Sequence, residues 1–231
     1  ATIKMFSGVE INTNYTSDDL NDILFKLYET NFFEDVNLDI TGNTLLINVI
    51  ENPIIQSLSI TGIKANKIKD PLYELLSLKE KSSFTEIKAN EDEESIINFL
   101  RNSGYYFASV ESSFTDIGNN LVVLKYDVDL GKKAKISKIK FLGEKHFKES
   151  TLRNIILSEE YKFWKIISGK KFLNEGLIEF DERLLTNYYK NNGFYQAQIG
   201  TSFVEYLGNN DFELTYNINS GKKFFFNDLN L

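Results

Sequence analysis

Residues 104–110 read GYYFASV, and 89 positions later residues 193–199 read GFYQAQI. NFFEDV at 31–36 repeats the phrase with Asn in place of Gly. A phrase that recurs at wide spacing marks a tandem array, and this limits the fold more than composition does. Extended, the copies run NFFEDVNLDITGNTLLINVIENP (31–53), GYYFASVESSFTDIGNNLVVLKYDVDLGKK (104–133) and GFYQAQIGTSFVEYLGNNDFELTYNINSGKK (193–223). Each reads as a helix end, an aromatic pair, a strand, a Gly-Asn turn and a second strand. Gly and Asn between alternating runs are hairpin signals, because both tolerate positive φ. After the turn, Val122, Leu124, Tyr126 and Val128 recur at every second position, as do Phe212, Leu214, Tyr216 and Ile218. That period predicts one buried face per strand.

A helix precedes each hairpin. TSDDLNDILFKLYET brings Leu20, Ile23, Leu24, Leu27 and Tyr28 to one stripe behind a Thr16/Asp19 cap. EDEESIINFLRNSG groups Ile96, Ile97, Phe99 and Leu100 and stops at Gly104. NEGLIEFDERLLTNYYKNNG groups Leu177, Phe180, Leu184, Leu185 and Tyr188 and stops at Gly193. KDPLYELLSL predicts a shorter helix with Asp70 as cap and Pro71 in its first position, and ESTLRNIILS is its counterpart. IIQSLSITG (54–62) and AKISKIKFLG (134–143) are opening strands. The repeat is therefore β-α-α-β-β. The class is α+β: a three-stranded mixed sheet with two helices on one face and the last strand between the other two. Expected boundaries are 1–52 for a first repeat lacking its opening strand, 53–132 for a second and 133–222 for a third with a longer helix–helix insertion. Residues 223–231, which match the start of the third repeat, are expected to open a fourth.

Composition removes several functions. A net charge of −7 argues against nucleic acid, which needs a basic stripe. Without cysteine there are no disulfides, thiolate metal sites or thiol nucleophiles. His146 is the only histidine, so a triad or zinc site has little to build on. The carboxylates of EDEES (91–95) are expected on an exposed helix start, where acids suit the helix dipole. SGKK at 168–171 and 220–223 lacks phosphate-loop spacing. No apolar run approaches the roughly 20 residues that span a bilayer as a helix. No catalytic residue, cofactor or metal is expected.

In order and spacing these elements resemble POTRA domains, and in particular the POTRA arrays of BamA-like outer-membrane β-barrel insertases. The resemblance rests on LYETNFFEDV followed by ENP, and on KFWKIISGKKFLNEGLIEFDERLLTNYYKNNGFYQAQI with its Trp and its D-x-x-L-L-x-x-Y-Y helix. Asn31 departs from the usual glycine. The resemblance implies a periplasmic arm that receives unfolded outer-membrane β-barrel proteins and docks accessory lipoproteins. It also implies that membrane association comes only through a C-terminal barrel, which this chain does not include. The alternatives are a POTRA module of a translocation or secretion transporter, and a structural divisome-type scaffold.

The remaining candidate is a sheet edge, where unpaired backbone groups accept an added strand. The first strand of each hairpin is expected outermost. VNLDI carries Asp39 and ASVESSFT carries Glu111, whereas Ala197, Gln198, Ile199, Gly200, Thr201, Ser202, Phe203 and Val204 carry no charge and no proline. This third edge is the expected client site, with Ile199 and Phe203 facing the helices. Trp164 is a candidate partner anchor, although a tryptophan in an insertion more commonly packs that segment onto its own repeat.

Overall fold

Three hairpins form where the phrase recurs: β1 (Phe33–Thr41) with β2 (Thr44–Glu51), β4 (Ser109–Gly118) with β5 (Leu121–Asp129), and β7 (Gln198–Gly208) with β8 (Asp211–Asn219). The computed structural model describes residues 2–11, 13–164 and 168–225, without the side chains at 2, 144 and 201–203. Asn119, Asn120, Asn209 and Asn210 hold φ of 56°, 56°, 52° and 63° in the turns. The phrase opener needs the same region: Gly104 and Gly193 stand at 91°, and Asn31 at 57°. Asn is among the side chains that best tolerate it, so the substitution at 31 keeps the turn.

The chain divides into two compact units, Ala1–Ile96 with Val110–Val128, and Ile97–Ser109 with Asp129–Leu231. In the first, α1 (Thr2–Ser7) and α2 (Ser17–Glu29) accompany the two-stranded β1–β2 sheet. Ile23 and Leu27 of α2 meet Phe33 and Val36 of β1 in its core. A second sheet of order β3-β5-β4 follows, in which β3 (Ile54–Thr61) runs parallel to β5. Between β3 and β4 come α3 (Asn66–Leu75) and α4 (Glu86–Asn102). Helix α3 begins four residues before Asp70, so Pro71 lies inside it. The amides of Ile68 and Lys69 both reach the Ala65 carbonyl, at 2.9 and 3.1 Å, and close a turn ahead of the proline.

In the second unit β6 (Lys135–Glu144) runs parallel to β8, and β7 flanks β8 on the other side, giving the order β6-β8-β7. Helix α5 (Glu149–Ile155), a 3-10 turn (Gly169–Lys171) and α6 (Glu175–Asn191) lie between β6 and β7. Leu124, Tyr126, Leu214 and Tyr216 are all fully buried, as the alternation requires. The helical stripes are rotated from the apolar spacing. Helix α4 buries Ala89, Asp92, Ile96 and Leu100, and α6 buries Ile178, Asp181, Leu185 and Tyr189. Phe180 is left exposed. The acids of 91–95 thus stand mid-helix, not at a helix start, and Asp92 faces inward. Residues 221–225 form no strand, and 226–231, where the opening strand of a fourth repeat is expected, lie outside the described residues.

Equivalent bonds recur along the array. The Ala134 amide donates to the Gly104 carbonyl at 2.9 Å, as Phe224 does to Gly193 at 2.8 Å, each linking one repeat to the start of the next. Within a repeat, Ile54 donates to Asn120 at 2.9 Å, and Lys135 to Asn210 at 2.7 Å. Phe107 stacks on Phe212 at 5.8 Å and meets Tyr206 edge-on at 5.4 Å.

Candidate functional site

The buried acids organise each complete repeat. Asp92 accepts from the Ser77 amide at 2.6 Å, the Leu78 amide at 3.0 Å and the Tyr126 hydroxyl at 3.1 Å. Asp181 accepts from Leu157 at 2.6 Å, Ser158 at 3.0 Å and Tyr216 at 2.8 Å. Each carboxylate ties the loop between two helices to the central strand. Burial, then the adjacent carboxylate, pushes both phenols well above the usual tyrosine range. They stay protonated and donate, which is an anchor and not an acid–base pair. Among the described residues, no group of three or more His, Asp or Glu side chains is placed to hold a metal ion. His146 stacks on Phe194 at 4.6 Å.

The sheet edges are where backbone polarity remains. Helices and loops satisfy much of it with side chains. Tyr28 accepts the Val36 amide at 3.1 Å on β1, and Glu93 accepts the Ser112 amide on β4. On β3, Glu80 accepts from Leu58 at 3.3 Å and Tyr73 from Ile60 at 3.1 Å. The β6 edge is closed most thoroughly. Glu160 accepts the Ile139 amide at 3.0 Å, while Arg153 donates to the Ile139 carbonyl and bridges Glu160 at 2.8 Å. An ion pair here imitates the two bonds that a partner residue would make in an antiparallel ladder. Tyr161 donates to the Ile136 carbonyl at 2.6 Å, Leu173 donates to that of Ala134 at 2.9 Å, and Phe172 bridges Lys135.

The opposite edge is β7, which among the described residues pairs with β8 alone. Of the eight expected residues, Ala197 precedes the strand: its amide turns back to the Phe194 carbonyl at 3.1 Å, and its side chain is buried. Gln198 is exposed opposite Asn219, and Ile199 packs on the core opposite Ile218. Gly200 lies opposite Asn217, and Phe203 opposite Thr215. The shift of register between them is a β-bulge, which interrupts the alternation that would give Ile199 and Phe203 one face. Thr201, Ser202 and Phe203 are strand in their backbone, and their side chains lie outside those described. Val204 follows opposite Leu214, partly exposed. Trp164 is 63% exposed, so it does not pack the insertion onto its repeat. Charge along the strand did not announce the bulge or the side-chain caps. The buried anchors do have a signal, their position in the repeat: Asp92 and Asp181 each stand twelve residues before the turn glycine.

The architecture has relatives. The chain is 26% identical over 217 residues to the outer membrane protein assembly factor BamA of Buchnera aphidicola subsp. Acyrthosiphon pisum, covering 93% of this chain and 35% of that protein. To BamA of Neisseria meningitidis serogroup B it is 28% identical over 202 residues, covering 86% and 25%. The chain thus spans about a third or less of the curated relatives' length. The crystal structure of BamA from Haemophilus ducreyi lacking POTRA domains 1-3 superimposes with a TM-score of 0.50 at 22% identity, covering 71% of this chain and 29% of that one. The POTRA family, described as a surface antigen variable number repeat, matches residues 53–131 and 134–221. Those two stretches carry the strand–helix–helix–hairpin repeat and both Asp–Tyr anchors, and the chain belongs to the POTRA family.

Proposed function

We propose that this chain is part of the periplasmic arm of a BamA-like assembly factor, and that it receives unfolded outer-membrane β-barrel proteins by strand addition. It acts by binding, without catalysis or a cofactor, and accessory lipoproteins dock on the same arm. Repeats bounded at 53–132 and 133–222 are its working modules. Similarity to BamA along most of the chain supports the assembly role. The observation that carries the binding mode is the asymmetry of the β6-β8-β7 sheet: an ion pair closes β6, whereas β7, among the described residues, has a strand partner on one flank only. Backbone pairing asks no particular client sequence, which suits a receiver of many barrels.

Thr201 lies on the edge strand β7, in the stretch between Gly200 and Phe203 where the register shifts. Thr201→Pro removes a backbone donor there and fits an edge strand. Peptides from outer-membrane barrel strands, titrated by NMR, should bind the folded variant more weakly than the parent. Equal binding with folding verified sinks the β7 assignment, while absence of peptide binding to the parent sinks the receiving role.

A further inference from the structure

The first compact unit holds a cleft of about 690 Å³ between the start of β1 and the first turns of α4. Its apolar wall is Phe33, Pro53, Phe84 and Phe114. Phe33 and Phe84 are buried, but Phe114, which tilts against Phe84 at 4.6 Å, is 47% exposed. Ile87, which also lines the cleft, is 73% exposed. Three carboxylates, those of Glu34, Glu86 and Glu91, surround the same opening against one ammonium, that of Lys88. Among the described residues none of these four side chains forms an ion pair. The sign of the charge is local. A second cleft, in the other unit, is lined by Lys133 and Lys170 and by no carboxylate.

We propose that the acidic cleft is a docking site for an internal segment of a partner protein, one in which an arginine is flanked by apolar side chains. Covering Ile87 and the open half of Phe114 removes apolar surface from water, which favours association. The acids choose the charge. Covered without a cation, they would lose solvent and repel one another, so the occupant carries positive charge. Arginine fits better than lysine. Its guanidinium is weakly hydrated, stacks on aromatic faces and pairs with a carboxylate through two donors at once. A chain terminus ending in its own carboxylate is repelled by the same acids, so the segment is internal. Strand addition at β7 reads no side chains, whereas this cleft reads little else, and the two sites are independent.

The probe is a blocked peptide, acetyl-Gly-Ser-Phe-Arg-Leu-Ser-Gly-amide, titrated into the isotope-labelled chain and followed by NMR. Amide shifts should fall on residues 33–34 and 84–91, and binding should weaken as salt is raised. Glu34→Lys combined with Glu91→Lys should weaken it roughly tenfold or more. Ile87→Ser should weaken it roughly threefold or more. All three side chains are exposed, and circular dichroism checks that the variants fold. Thr201→Pro should leave binding unchanged, which separates the cleft from the β7 edge. Equal binding by the charge-reversed variant and the parent overturns the proposal, as does equal binding of a peptide with glutamate in place of arginine. Absence of binding to the parent, or its loss in a folded Thr201→Pro variant, overturns it too. Shifts at 84–91 that grow with protein concentration and need no peptide assign the cleft to a second copy, and overturn it as well.

Discussion

A carboxylate on the core face of a helix is tolerated only when its lone pairs are occupied, and Asp92 and Asp181 each accept three hydrogen bonds. Asp181→Ala leaves two buried loop amides without an acceptor and should cost about 3 kcal/mol, read from urea denaturation. A loss below about 1 kcal/mol, within the range of an ordinary neutral hydrogen bond, would remove Asp181 as an anchor. Tyrosines nearby should respond in opposite directions. Tyr216→Phe removes a bonded hydroxyl and should cost about 1–2 kcal/mol. The Tyr189 hydroxyl has no partner among the described residues, and burial pushes its pKa up to about 12. Tyr189→Phe should therefore be neutral, or stabilise by up to about 1 kcal/mol. Hydropathy alone could not find the acids, because a helical stripe is read by apolar spacing and an inward Asp breaks it. In the first repeat the matching position is Asp19, twelve residues before Asn31. There it is exposed and caps α2 through Thr16, and no Tyr occupies the inward positions Leu45, Ile47 and Val49 of β2.

At the scale of the element, the glycine that ends each opening strand sets how closely neighbouring strands approach. A Cβ on Gly143 would lie 2.2 Å from the Ile218 carbonyl oxygen, and one on Gly62 would lie 1.7 Å from that of Val128. Both glycines also have positive φ, 87° and 84°. Gly143→Ala should cost about 3 kcal/mol from strain and displacement together, measured by thermal denaturation; a change near zero would mean that the strand ends yield freely. The β6 edge offers a different test. Glu160→Ala with Arg153→Ala bares the amide and carbonyl of Ile139. An uncapped edge recruits strands, so sedimentation should show concentration-dependent association absent from the parent. Hairpins, opening strands and strand order were legible because turn residues and period-2 alternation are local. Caps were not, because Glu80 and Glu160 reach strands about twenty residues upstream. The bulge at Gly200–Phe203 was equally hidden: glycine permitted it, but register belongs to the pair of strands.

Across the whole molecule, repetition was legible from punctuation, yet the compact units do not coincide with the repeats: residues 97–109, the end of α4 and the turn after it, group with the third repeat. Aromatics account for this. Tyr106 and Phe107 pack edge-on and stacked against Phe212, at 5.6 and 5.8 Å, and Phe107 also meets Tyr206. Asn174 donates from its side chain to the Asn102 carbonyl, and the Lys133 ammonium lies 4.8 Å from the rings of both Tyr105 and Phe172. Burial lowers the affinity of Lys133 for its proton. In a linear array, stability is the sum of each repeat and its interfaces, so weakening one interface loosens coupling before it unfolds either neighbour. Phe107 is 47% exposed, and truncating it removes ring contacts worth roughly 1–2 kcal/mol while leaving both cores intact. Phe107→Ala should therefore broaden or split the calorimetric transition, with far-ultraviolet circular dichroism unchanged at 25 °C on the order of the parent's signal. A single transition that moves down without broadening would mean that the two repeats fold as one body, and that Phe107 belongs to their common core.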